Sequence, residues 1–169
     1  TINFSAHFNN GSAITAYKHA YSSNSGSTWS AWTQRSAGTS ESPLVVSGLT
    51  NGQSYLVKIR AVNAKGDSTD SNQSSSFTPI APPDAPTLTG VTTGDSAITI
   101  NFSANASNGS AITNYMYSLD NGVNWTERSP AATTTSIVVL ELENGASYSV
   151  KLIAMNAAGN SVASNVITV

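Results

Sequence analysis

The sequence predicts an all-β chain folded as two tandem antiparallel β-sandwiches, and three observations carry that expectation. Apolar residues recur at every second position in short runs, which places one set of side chains on one face of a sheet. Ile98, Ile100 and Phe102 form such a run, as do Tyr148, Val150, Leu152 and Ala154. Turn-forming residues separate the runs at Asn108-Gly109, Asp120-Asn121-Gly122, Asn144-Gly145 and Ala158-Gly159-Asn160, a spacing that suits a sandwich or barrel. Third, the pattern occurs twice. Ile2-Asn3-Phe4-Ser5-Ala6 and Asn10-Gly11-Ser12-Ala13-Ile14-Thr15 return at an offset of 98, starting at Ile100 and Asn108. Leu49-Thr50-Asn51-Gly52, Tyr55 and Ala61-Val62-Asn63-Ala64 return at an offset of 93, as Leu142-Glu143-Asn144-Gly145, Tyr148 and Ala154-Met155-Asn156-Ala157.

The first copy is therefore five residues longer between these blocks, two near Lys18-His19-Ala20 and about three near Ala31-Trp32-Thr33. Along the chain, Thr1–Ser5 reads as a strand, with Ile2 and Phe4 on one face. A second strand opens at Ile14-Thr15-Ala16-Tyr17, and Asn24, Gly26 and Trp29 mark a hairpin after it. Tyr55, Val57, Ile59 and Ala61 alternate in a third run. The stretch Thr78-Pro79-Ile80-Ala81-Pro82-Pro83-Asp84-Ala85-Pro86 cannot supply a sheet ladder and stiffens the chain. Residues 1–80 read as the first module, 81–83 as a proline-rich linker and 84–169 as the second module. In the second copy Ile98, Ile100, Phe102, Ile112, Tyr115, Ile137, Val139, Leu142, Val150 and Leu152 are the expected core, each contributing about 1.5–3 kcal/mol on burial. Nothing reads as an amphipathic helix.

These residues resemble fibronectin type III modules, which have an immunoglobulin-like sandwich fold. Pro83-Asp84-Ala85-Pro86 is similar to the family's proline-marked opening of strand A, and Phe102 stands where strand B usually carries tryptophan. Ile112-Thr113-Asn114-Tyr115 resembles the opening of strand C. Leu142 through Tyr148 resembles the leucine-turn-tyrosine block, and Ala154 through Gly159 the end of strand F. The first copy repeats these features with Phe4, Ile14 through Tyr17, Leu49 through Tyr55 and Ala61 through Gly66. It has no strand A, since residue 1 already lies in strand B. That strand is expected from upstream chain or from a neighbouring subunit. Independently of the family, Tyr55 and Tyr148 each follow a Leu-x-Asn-Gly turn, where a tyrosine can bury its ring and return its hydroxyl to nearby backbone.

Charged residues make up 9% of the 169, and the net charge is −2, so no basic field attracts nucleic acid or anionic lipid. Cysteine is absent, which removes disulfides, thiolate metal sites and thiol nucleophiles. No apolar run approaches the ~20 residues of a membrane span. Thr1-Ile2-Asn3-Phe4-Ser5 does not read as a secretory leader, so any such signal is expected elsewhere in the parent protein.

Enzymatic chemistry is not expected, nor is a cofactor. His7 and His19 could face each other from neighbouring strands but lack the acidic companions of a metal site, so no metal is expected. Ser118-Leu119-Asp120-Asn121-Gly122-Val123-Asn124-Trp125 has the Ser-x-Asp-x-Gly-x-x-Trp form of a structural hairpin. Tyr21, Trp29 and Trp32 are the candidate ligand-binding residues, as flat rings that could stack on a sugar. Lys65-Gly66-Asp67 falls in a loop that some fibronectin modules use to display an Arg-Gly-Asp integrin motif, and a plain turn is the simpler reading. Asn3, Asn10, Asn72, Asn101, Asn105, Asn108 and Asn124 sit in N-x-S/T sequons.

The expected role is a non-catalytic spacer or adhesion repeat of a larger protein on an extracellular, cell or virion surface. The resemblance places similar modules in bacterial, phage or viral surface proteins and in secreted proteins. The alternatives are a carbohydrate- or protein-binding module, or an accessory region of a secreted polysaccharide-degrading enzyme. Expected partners are neighbouring repeats, with glycans or surface proteins as further candidates.

Overall fold

The computed structural model describes residues 1–6, 8–35 and 41–169. The chain divides into two compact units, Thr1–Pro79 and Ile80–Val169. Every regular element among the described residues is a β-strand, and the named strands pair antiparallel.

The first unit holds one sheet. Its strands β1 (Ala16–Ser22), β2 (Thr33–Gln34), β3 (Leu56–Asn63) and β4 (Gly66–Asp67) lie in the order β2-β1-β3-β4. β1 and β3 pair along their length, from Ala16↔Val62 to Ser22↔Leu56. Period-two alternation then sorts the side chains. Tyr17, His19 and Tyr21 share a face with Ile59, Val57 and Ala61, while Lys18 and Ala20 share the other with Arg60 and Lys58. Tyr17, Leu44, Tyr55 and Val57 are buried, and the Phe4 ring lies 4.4 Å from that of Tyr17.

Thr1–Ser5 does not form the strand its alternation suggests. Only Ile2 bridges to Leu44, and the Phe4 N–H turns to the Ser42 hydroxyl at 3.1 Å. The reason is visible in the second unit, where the corresponding strand is paired on both sides.

The second unit is a complete two-sheet sandwich. One sheet has the order β5-β6-β9, with β5 Thr87–Gly94, β6 Ala97–Ser103 and β9 Ser136–Leu140. In the other, β10 (Ser149–Asn156) pairs with β7 (Asn114–Ser118), which pairs with β8 (Thr126–Glu127). The short strands β11 (Gly159–Asn160) and β12 (Ile167–Thr168) both pair with β10. Leu88, Ile98, Ile100, Phe102, Tyr115, Ile137, Val139, Val150, Leu152 and Ala154 form the buried core between the sheets. Ile112 and Leu142, expected within that core, pack against it from partly buried positions. Leu88 and Ala154 join it. Ala81 and Pro82, expected in a linker, are hydrogen-bonded within this unit. The Ala81 N–H donates to the Asn108 carbonyl, and Asn156 and Asn108 Nδ2 donate to the carbonyls of Ala81 and Pro82. Pro83 is buried.

Both units close a tyrosine corner. The Thr50 N–H donates to the Tyr55 hydroxyl, and the Glu143 N–H to the Tyr148 hydroxyl, each at 3.0 Å.

Both units also finish their last edge with serine. Ser68, Ser71 and Ser74 donate their N–H groups to the carbonyls of Ala61, Ile59 and Val57. Their hydroxyl oxygens accept the N–H groups of the same three residues at 2.9–3.0 Å. Ser161 and Ser164 do the same for Ala154 and Leu152. Along these edges the chain advances three residues for every two on the partner strand. Three residues thus cover the ~6.8 Å that two strand residues span, and the hydroxyl replaces a carbonyl that the compressed backbone turns away.

Candidate functional site

Trp29 and Trp32 sit on the face of the first sheet that carries Lys58 and Arg60. The Lys58 ammonium lies 4.5 Å from the Trp29 ring centre and 5.4 Å from that of Trp32, and the Arg60 guanidinium 4.3 Å from that of Trp32. Ring and cation alternate across the sheet, an arrangement worth about 0.5–1 kcal/mol per pair where water has access. Asp70 closes the array, accepting from Lys58 Nζ and Arg60 Nε at 2.6 Å each. Hydrogen bonds from Lys58 first and Arg60 second hold the Asp70 carboxyl below its ordinary range. Beneath the array Ala20, the pairing partner of Lys58, is fully buried. Both tryptophans are partly buried.

Tyr21 does not join them. It pairs with Val57 and so faces the opposite side of the sheet, where its ring meets Tyr55 edge-on at 5.6 Å. The sequence reading singled out the rings but missed Lys58, Arg60 and Asp70. A signal was present: Lys58 and Arg60 are the polar positions of the Val57-Ile59-Ala61 alternation, and so share one face.

Lys65-Gly66-Asp67 is a hairpin turn running into β4. The Asn63 side chain accepts the Lys65 N–H at 2.8 Å, Gly66 has φ 122°, and Asp67 pairs with Lys18 at 2.9 Å. The acidic group is thereby committed to a neighbouring strand.

Ser118 through Trp125 is held by its own side chains. The Ser118 hydroxyl donates to Asp120 at 2.7 Å and accepts the Gly122 N–H at 2.8 Å. Asp120 accepts the N–H groups of Val123 and Asn124. Those bonds, the Asn124 N–H foremost, draw the Asp120 carboxyl down to about 2. Trp125 Nε1 donates to the Gly122 carbonyl at 3.1 Å, and a Cβ at Gly122 would come within 3.4 Å of the Trp125 ring. The first unit builds the same turn without charge: Ser22 donates to Asn24, which accepts the Thr28 N–H.

Of the histidines, His7 lies outside the described residues. His19 is buried on the core face, and burial lowers its pKa from the ordinary value. No cluster of three or more metal-ligating side chains occurs among the described residues, and no helix there is long and apolar enough to cross a membrane.

No protein-family model matches the chain, and no curated protein sequence does. Among solved structures it is similar to one of titin kinase and its flanking domains, with 27% identity and a TM-score of 0.41 over 51% of this chain and 16% of that one. It is also similar to the chicken CNTN1 FN1–FN3 domains, with 16% identity and a TM-score of 0.44 over 98% of this chain and 59% of that one. A structure described as a myokine gives 18% identity and a TM-score of 0.43 over 52% of this chain and 95% of that one. The chain thus spans less than two thirds of the first two.

Proposed function

We propose that the chain is a non-catalytic structural or adhesion-type segment of a larger extracellular protein, in which the two units act as tandem spacers. The observation that carries this reading is where the aspartate side chains go. Each of the five aspartates accepts a hydrogen bond from another side chain: Asp67 from Lys18, Asp70 from Lys58, Asp84 from Asn108, Asp95 from Asn144 and Asp120 from Ser118. These five carboxylates are thereby committed to turns and sheet faces. The experiment is extension of the intact chain under force between reference handles. Two separate unfolding events of comparable contour length support tandem spacers. One event, or extension without a force barrier, overturns them.

A second reading makes Trp29 and Trp32 a contact for carbohydrate, favoured by both rings lying on one sheet face and keeping partial exposure. Lys58 and Arg60 already stack on these rings, so a sugar must bind beside them or displace them. Fluorescence of Trp29 and Trp32, with Trp125→Phe removing the third tryptophan, tests this against a glycan panel. A saturable change with one glycan moves the function to recognition; quenching unaffected by every glycan removes this reading.

A further inference from the structure

The outward face of the first sheet differs from its counterpart in the second unit at three positions that meet in space. The offset of 93 sets Lys58 against Lys151, and Trp29 has its counterpart in Trp125. Arg60 stands where the second unit has Ile153, Asp70 where it has Ala163, and Trp32 lies in the stretch that the second unit lacks. These three make the Arg60–Trp32 stack at 4.3 Å and the Arg60–Asp70 pair at 2.6 Å. Covering the sheet does not require them. The second unit covers the same place with Trp125 and Lys151, both within 3.6 Å of where a Cβ on Gly122 would stand.

The added group has the chemistry of a carboxylate receptor, and Asp70 shows how it takes one. Lys58 Nζ and Arg60 Nε each donate to that carboxylate at 2.6 Å. Asp70 does not exhaust their donors. Among the described residues Arg60 donates through Nε alone, which leaves both Nη groups without a protein acceptor. Stacking on Trp32 fixes the guanidinium plane, and its free Nη edge can grip a carboxylate through parallel N–H bonds. The Arg60 side chain is 31% exposed against 18% for Lys58, so a ligand reaches Arg60 first. The charge balance points the same way. The first unit carries five Lys and Arg against three Asp and Glu, the second two against six. An anion is therefore drawn to the first unit and repelled from the second.

We propose, building on the carbohydrate reading of Trp29 and Trp32, that this face binds an acidic sugar, a pyranose with a carboxylate on its ring. The roles within the site change accordingly. Lys58 and Arg60 cover the ring faces, so the tryptophans position the cations and the cations make the first contact. The sugar's carboxylate docks on the Nη edge of Arg60, and Lys58 adds charge beside it. In a uronate the carboxylate is one bond from the ring. Anchoring it lays the sugar's C–H face against the parts of Trp29 and Trp32 that remain exposed. A neutral sugar offers that face without the anion. An acidic peptide offers the anion on a flexible chain with no such face attached.

The probe is a galacturonate hexamer, titrated at low salt into the intact chain carrying Trp125→Phe and followed by tryptophan fluorescence. A neutral galactose hexamer and a glutamate hexapeptide are the comparisons, and they need no further variant. The expected result is a saturable change with the uronate alone, weakened by added salt. Arg60→Gln weakens binding about tenfold to a hundredfold, as for a lost charge-assisted hydrogen-bonded pair. Asp70→Asn keeps an acceptor for Lys58 and Arg60 but removes the competing charge, and tightens binding several-fold. A purely structural array would gain nothing from that change. Equal binding of the neutral hexamer overturns the proposal and leaves the carbohydrate reading standing; no response to either sugar overturns both. Equal binding of the glutamate peptide overturns the choice of a sugar. Unchanged binding by a folded Arg60→Gln chain, or weaker binding by Asp70→Asn, overturns the assigned contacts.

Discussion

Asp120 and Asn24 occupy the same place in two copies of one turn, and of the two only Asp120 can titrate. The Asp120 pKa of about 2 lies below the ~3.9 of an unfolded aspartate. The carboxylate's contribution is therefore fully present above about pH 5 and is lost as pH falls through 4 toward 2. Denaturation of the second unit, followed by Trp125 with Trp29 and Trp32 replaced by phenylalanine, is expected to weaken over that window. Asp120→Asn should flatten that part of the profile; an unchanged acid dependence would count against the assignment. The turn was legible in the sequence because its bonds are local: Ser118 reaches Asp120 and Gly122, and Asp120 reaches Asn124. That Lys58 and Arg60 share a face was legible, but that this face meets Trp29 and Trp32 was not, because the cations come from β3, more than twenty-five residues along the chain.

At the scale of elements, the serine edges show how a sheet can end. An unpaired strand offers its N–H and C=O groups to any passing chain. Here the edge steps three residues for two, so its outward groups no longer match a flat strand's spacing. The cost of breaking one staple is testable. Ser164→Ala leaves the buried Leu152 N–H without its acceptor and is expected to destabilise the second unit by about 1–3 kcal/mol. Ser164→Thr, which keeps a hydroxyl, should lose less, and Val162→Ala, at an exposed position, should stay within about 0.5 kcal/mol. Equal urea midpoints for Ser164→Ala and Val162→Ala would refute the staple's role. The period-three serines stand in the sequence, but a search for period-two alternation passes over them. Conversely, Ile2 and Phe4 carry a correct strand pattern without a continuous strand, because a ladder needs partners that no local pattern encodes.

For the whole molecule, the repeat predicted two units of one kind, yet their apolar side chains are not equally covered. The second has its core sealed on both faces, with Ile100, Val150, Leu152 and Ala154 at 0% exposure. The first leaves Ile2, Phe4 and Ile59 part-exposed. Burial of large apolar side chains supplies about 1.5–3 kcal/mol each, so the first unit is expected to unfold first under denaturant or force. Trp29 and Trp32 report that transition and Trp125 the later one; the reverse order would contradict it. The serine edges also bear on evolution. Most of their structural requirement rests on one residue in three, while Thr69, Asp70, Val162 and Ala163 between the serines face water. Such positions can accumulate substitutions with little effect on the fold, so a lineage could redraw this rim's charge and recognition chemistry. Asp70 shows one such position already put to use, tethering the two cations that cover the tryptophans.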